Sequence, residues 1–127
     1  MASQFSATLR TALAQAIVDT VGTNFTLEVR TGAAPGVGAG ASGTLLATLT
    51  AGTWGTPTTG AVTFTMTQDS SGDASGTPQH VRFKTSGGTA IVECDAAIGS
   101  GTANFSAGVS LGGAVSLSSG SFTSGNA

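Results

Sequence analysis

Residues Gln79 to Cys94 read QHVRFKTSGGTAIVEC, and the reading of this stretch decides the fold. Val81 and Phe83 alternate with His80, Arg82 and Lys84. Ser86-Gly87-Gly88 then turns the chain, and Thr89 to Cys94 returns as a second apolar run. Period-two alternation on one side of a glycine turn and an apolar return on the other predict a β-hairpin. Across it, Arg82 and Lys84 are placed to pair with Glu93 and so set the register. His80 falls on the polar face of its strand, as an exposed or interface residue.

Working outward, the same period recurs. Phe25 to Thr31, FTLEVRT, places Phe25, Leu27 and Val29 on one face and Glu28 and Arg30 on the other, where the two charges can form an exposed pair. Thr44 to Thr50, TLLATLT, has Leu45 and Leu49 on one face and Leu46 on the opposite one, so this strand is central or covered. Ala61 to Thr67, AVTFTMT, turns Val62, Phe64 and Met66 inward and threonines outward. After the hairpin come Ala103 to Ala107, Ala114 to Ser118 and Ser121 to Thr123, with a tight turn at Gly112-Gly113. Seven or eight strands at roughly ten-residue spacing argue a mainly β, antiparallel sandwich of jelly-roll type.

One segment departs from that pattern. In residues 3 to 21, Phe5, Leu9, Leu13 and Ile17 recur every four residues, with Ala12, Ala16 and Val21 broadening the stripe. This predicts a single N-terminal amphipathic helix, N-capped at Ser3 and ended at Gly22. Its apolar face packs on its own sheet or lies in a groove of another subunit, the first being the simpler arrangement. The chain therefore divides into a helix, 1–22, and a β-domain, 23–127, within one domain overall.

The connections are polar and small. Residues 32–43, GAAPGVGAGASG, carry no charge and read as a flexible connection or an extended arm, which, if ordered, is expected to be ordered by something external. Ala51 to Gly60 is a turn-rich loop holding the one tryptophan, Trp54, which closes an end of the core or anchors an interface. Gln68 to Pro78 contains Asp69 and Asp73 but lacks the acidic register of a calcium loop, so surface turn chemistry is the better account.

Composition bounds the function. Of 127 residues, 8% are charged and the formal net charge is −2, with no Lys/Arg cluster, which disfavours nucleic-acid binding and a basic membrane anchor. No apolar run reaches the length of a membrane span, and the N-terminus lacks the pattern of a secretion signal. Synthesis in a cytoplasm is expected. Bulk comes from six Phe and one Trp, without tyrosine, so the core is thin and stability is expected to draw on subunit or partner contacts. The single cysteine, Cys94, excludes an intrachain disulfide and a multi-cysteine metal site, and reads as a small buried hydrophobe.

A search for chemistry finds no catalytic, cofactor or metal site. A serine triad would need His80, but no GxSxG elbow is present. Glu93 and Asp95 are two apart, as a carboxylate pair for sugar hydrolysis could be, yet aromatic residues for a sugar cleft are scarce. GVGAGASG has glycines without the Lys-Ser/Thr ending of a phosphate loop.

Taken together, the helix LRTALAQAIVDTVG, the strand ending LEVRTGAAPG, GTLLATLT, the Trp54 loop, HVRFKTSGGTAIVE and the Ser/Gly-rich end SFTSGNA resemble small virion structural proteins of tailed bacteriophages. The resemblance is closest to β-sandwich head decoration or cement proteins. It implies a non-enzymatic role on the capsid surface, clamping the major capsid protein as a homo-oligomer, dimeric or trimeric. Phe5, Leu9, Leu13, Trp54, Arg82 and Lys84 are the candidate interface residues. The alternatives are another virion part, such as tail, neck or fibre, and a carbohydrate-binding sandwich using Trp54.

Overall fold

A computed structural model describes residues 5–58 and 60–123. One helix, α1 (Ala7–Val21), precedes seven strands among the described residues: β1 (Phe25–Arg30), β2 (Leu45–Trp54), β3 (Ala61–Thr67), β4 (His80–Lys84), β5 (Ala90–Ile98), β6 (Ala103–Phe105) and β7 (Leu117–Thr123). The mainly β character and the N-terminal helix agree with the sequence reading. The sandwich does not: the strands close in the order β1-β2-β3-β7-β6-β5-β4 into a barrel. Alternation is the same in either architecture, because both have one inner and one outer face. Closure depends instead on which distant strands meet, here β1 with β4 and β3 with β7.

One neighbour pair is parallel, β5 with β6. Parallel neighbours usually need a long crossover. Here residues 99–102 double back directly, with Gly99 and Gly101 at φ +79° and +88°, a region that L side chains disfavour. Thr102 Oγ1 donates to Asp95 Oδ1 at 2.7 Å, and the Gly99 N–H donates to the Phe105 carbonyl at 2.9 Å, fixing the return.

The predicted hairpin is present as β4 and β5, with Val81 opposite Cys94 and Arg82 opposite Glu93. Inside the barrel, Leu27 sits between Leu49 and Phe83, and Val29 between Ala47 and Val81, all buried. Trp54 closes one end of this core. Its ring lies 4.7 Å from Phe25, 5.8 Å from Phe83 and 5.9 Å from Phe64 between centroids, and its Nε1 donates to the Gly22 carbonyl at 3.0 Å. The loop expected from Ala51 is in fact a continuation of β2, which a bulge between Thr50 and Thr53 carries past Ala51 at φ +54°. Gly52 then lies under the Phe25 ring, where a Cβ would approach to 2.5 Å.

The outer face of β2 is covered by two long loops that pair with each other, Gly76 with Val109 and Asp69 with Val115. Gly76 lies against Leu46, which is fully buried, so the strand apolar on both faces is indeed covered. The pairing of Val115 also explains why the two C-terminal segments expected at 114–118 and 121–123 become the single strand β7.

The helix is seated less completely than its sequence stripe predicts. Ser6 is its N-cap, its Oγ accepting from the Leu9 N–H at 3.1 Å, and the predicted cap Ser3 lies outside the described residues. Gly22 ends it, donating to the Val18 carbonyl. The buried positions are Ala14 and Val21, with Ile17 packed on the core. Phe5 and Leu13 are half-buried and Leu9 is 47% exposed. Thus the helix leans on the chain's own barrel, beside β3, through Ala14, Ile17 and Val21, while Leu9 faces solvent.

Candidate functional site

The outer faces of β1, β4 and β5 carry most of the charge in the molecule. Register places Glu28, Arg82 and Glu93 in one row across the three strands, and Arg30, His80 and Asp95 in the next. With Lys84, these make six of the ten charged residues and the one histidine. The face is balanced, three cations against three anions.

Each charge has a defined partner. Arg82 Nε donates to Glu93 Oε2 at 3.0 Å, with the two side chains 6% and 4% exposed. The register pair read from the sequence is therefore present, and it is buried. Lys84 does not join Glu93; its Nζ lies 3.1 Å from Glu28 Oε2, while Arg30 Nε donates to Glu28 Oε1 at 3.2 Å. The Glu28–Arg30 pair is correspondingly not the exposed pair expected, at 13% and 14% exposure. Burial pushes the Glu28 carboxyl up, but the hydrogen bonds from Lys84 and Arg30 and their positive charges outweigh it, and the group is held below its ordinary value.

The cover over this face is the segment between β1 and β2. Its base is closed by the Thr31 N–H donating to the Thr44 carbonyl at 3.1 Å and the Thr44 N–H donating to Thr31 Oγ1 at 2.9 Å. Residues 32–43 then cross the charged rows. Gln79 Oε1 accepts from the Gly32 N–H at 2.7 Å, and Glu93 Oε1 accepts from the Gly36 N–H at 2.6 Å. Arg82 Nη2 donates to the Gly36 and Ala39 carbonyls at 3.3 and 2.9 Å. A turn closed by the Ala39 N–H on the Gly36 carbonyl presents both oxygens to the guanidinium. The expectation that something external orders this segment is thus corrected: the hairpin's own polar face holds it.

His80 belongs to the same arrangement and is 1% exposed, contrary to its expected exposure. Nδ1 lies 2.7 Å from the Gly32 carbonyl, which can only accept, so Nδ1 carries the proton. Nε2 is buried without a hydrogen-bond partner among the described residues. The ring is engaged by a main-chain carbonyl, a contact unlike that of a general base with its nucleophile.

Other candidates resolve into structural contacts. Both oxygens of Glu93 are engaged, by Arg82 and Gly36, and Asp95 accepts from Thr102. Asp69 accepts from the Ser71 N–H, the turn chemistry expected of it, and also from the Thr48 N–H of β2, which ties the loop to the strand. Among the described residues no group of three His, Cys, Asp or Glu side chains could hold a metal. Cys94 is half-buried, and burial, followed by the charges of Asp95 and Glu93, pushes its thiol up to about 12. Trp54 is half-buried and packed among three phenylalanines. A shallow recess of about 150 Å³ is lined by Phe105, Val115 and small residues, without a charged group.

Of the six candidate interface residues, Arg82 and Lys84 lie together on the covered face, Trp54 is half-buried at the end of the core, Leu9 and Leu13 lie on the helix and Phe5 just before it. Sequence reasoning missed Gln79, His80 and Glu93 as anchors for residues 32–43. The available signal was a strand, His80–Lys84, with polar residues at every outward position and a chargeless segment nearby.

No protein-family model, curated protein or solved structure matches this chain.

Proposed function

We propose that the chain is a non-enzymatic structural protein of a phage virion, a head decoration or cement protein that binds the major capsid protein as a homo-oligomer and stiffens the shell. The observation that carries this reading is where the reactive groups are used. The imidazole, the Arg82–Glu93 pair and Glu28 all hold parts of this chain to one another, while large apolar side chains, Leu9 on the helix, Ile98 and Leu111, are left exposed. Such a molecule is suited to gluing neighbours together. The resemblance of its sequence to phage decoration proteins supplies the particular setting.

The test is made on particles. The protein should be present in purified virions, and particles lacking it should lose DNA on heating or osmotic shock at milder conditions than complete ones. Absence from purified particles, or equal resistance without it, overturns the reading. A density at the tail, neck or fibre in a particle reconstruction would assign it to another virion part.

A further inference from the structure

The contacts that hold residues 32–43 share one property: every one of them ends on main chain. Gln79 and Glu93 accept from the N–H groups of Gly32 and Gly36, and His80 and Arg82 donate to the carbonyls of Gly32, Gly36 and Ala39. No side chain of the segment is read. Its residues from 33 to 41 are exposed, with Val37 at 43%, so apolar burial contributes little to holding it down. What it covers, Arg82 and Glu93, is charged and gains hydration when uncovered, which lowers the cost of lifting the segment.

From this we infer that the outer face of β1, β4 and β5 is a cradle for an extended small-residue backbone, and that it accepts residues 32–43 of a second copy of this chain in exchange for its own. The second copy is the occupant that fits by construction, because it carries the same Gly/Ala backbone with the same turn at Gly36 to Ala39. The segment is anchored at both ends, so the exchange is a reciprocal clasp of two loops. Twelve residues going out and back reach roughly 20 Å at about 3.4 Å per residue, enough to span to a face on a twofold-related copy. The charged face is balanced, so two copies are not driven apart by it. The inference goes beyond the virion reading and does not depend on it: it concerns self-association of the isolated chain.

Register suggests the experiment. Arg30 pairs with Leu45, so residues 33–42 can be replaced by an Asn-Gly turn while β1 and β2 keep their pairing. The shortened chain keeps Gly32 on Gln79 and His80 but leaves Arg82 and Glu93 without Gly36 and Ala39, and it is titrated with a synthetic peptide of residues 31–44, observed by NMR at the Arg82 Nε–H and Nη–H groups. Saturable shifts at these groups, abolished in the shortened chain carrying Arg82→Met and Glu93→Gln, are the expected result. A folded shortened chain whose spectrum the peptide leaves unchanged at about millimolar concentration, the effective concentration a short tether supplies, overturns the inference. Should the shortened chain fail to fold, the intact chain refolded from urea at about the same concentration decides instead. A dimer that Arg82→Met/Glu93→Gln loses supports the clasp, and monomer alone overturns it. Neither result bears on the presence of the protein in virions, so the two readings fail separately.

Discussion

Replacing Glu93 by alanine removes one carboxylate with two obligations: it neutralises Arg82 and it accepts from the Gly36 N–H. The pair is 6% and 4% exposed, so this is not a surface ion pair with a value near zero. Breaking a buried pair by deleting one partner costs about 3–5 kcal/mol, because the other charge is left buried and uncompensated. Two features reduce that figure here. Arg82 keeps the carbonyls of Gly36 and Ala39, and the segment above it can lift to admit water. The floor is the loss of a hydrogen bond to a charged group, about 1.5 kcal/mol. Glu93→Ala is therefore expected to lower stability by about 1.5–3 kcal/mol, a fall in Tm of roughly 5–15 °C for a domain of this size. Urea titration followed by Trp54 fluorescence measures it, and faster hydrogen exchange at Gly36 locates it. The double variant Arg82→Leu/Glu93→Leu removes both charges together and should cost less than the two single changes summed, by about 1 kcal/mol or more. A Glu93→Ala chain within about 0.5 kcal/mol of the parent, or strict additivity in the cycle, refutes the reasoning.

Trp54→Phe keeps a ring against Phe25 and Phe83 but loses the bond to the Gly22 carbonyl and part of the ring volume; a loss of about 1–3 kcal/mol in urea unfolding, followed by circular dichroism, is expected. Glu28 is held below its ordinary value of 4.5, so it contributes stability that is fully present above that pH and is lost as pH falls through its lower folded value. Glu28→Gln should accordingly be less stable than the parent at pH 7 and should show a shallower further loss on acidification below about pH 4.5, read from urea midpoints as a function of pH. With its thiol pushed up to about 12, Cys94 is expected to resist a thiol-specific reagent at pH 8 in the folded chain and to react promptly in denaturant; equal rates would place the side chain elsewhere.

How far the sequence could be read depended on whether a property was local. Period-two alternation in Phe25–Arg30, Ala61–Thr67 and His80–Lys84 located those strands closely, because each has one inward face and short-range pattern suffices. Barrel closure was not legible, since Thr63 meeting Ser121 and Val29 meeting Val81 are pairings between segments whose local patterns are compatible with many partners. The helix illustrates the same limit. Its period was clear, but whether Leu9 or Ala14 faces the barrel depends on where β3 lies, and the structure seats Ala14. At the candidate site, the Arg82–Glu93 pair followed from hairpin register alone, whereas the burial of His80 required knowing that residues 32–43 fold back over it.

That last dependence explains an otherwise puzzling use of charge. A chain with 8% charged residues places six of its ten on one face and then covers that face with a segment that has none. A Gly/Ala segment has almost no apolar side chain to bury, so hydrophobic packing cannot fasten it. Its main-chain N–H and C=O groups are what it has to offer, and each must find a partner once it lies against the protein. Gln79, His80, Arg82 and Glu93 supply donors and acceptors in matching order, and the ion pair between Arg82 and Glu93 orients both for the task. The polar face of the hairpin is then best understood as the complement of a backbone. The consequence is specific: replacing Val37 by alanine, or Ala33, Ala34 or Ala41 by serine, should change stability by no more than about 0.5 kcal/mol, whereas Gly36→Pro, which deletes the donor to Glu93 and forbids φ +100°, should release the whole segment to rapid hydrogen exchange. Sensitivity of the segment to its side chains, with indifference to the Gly36 N–H, would reverse the assignment of which partner is being recognised.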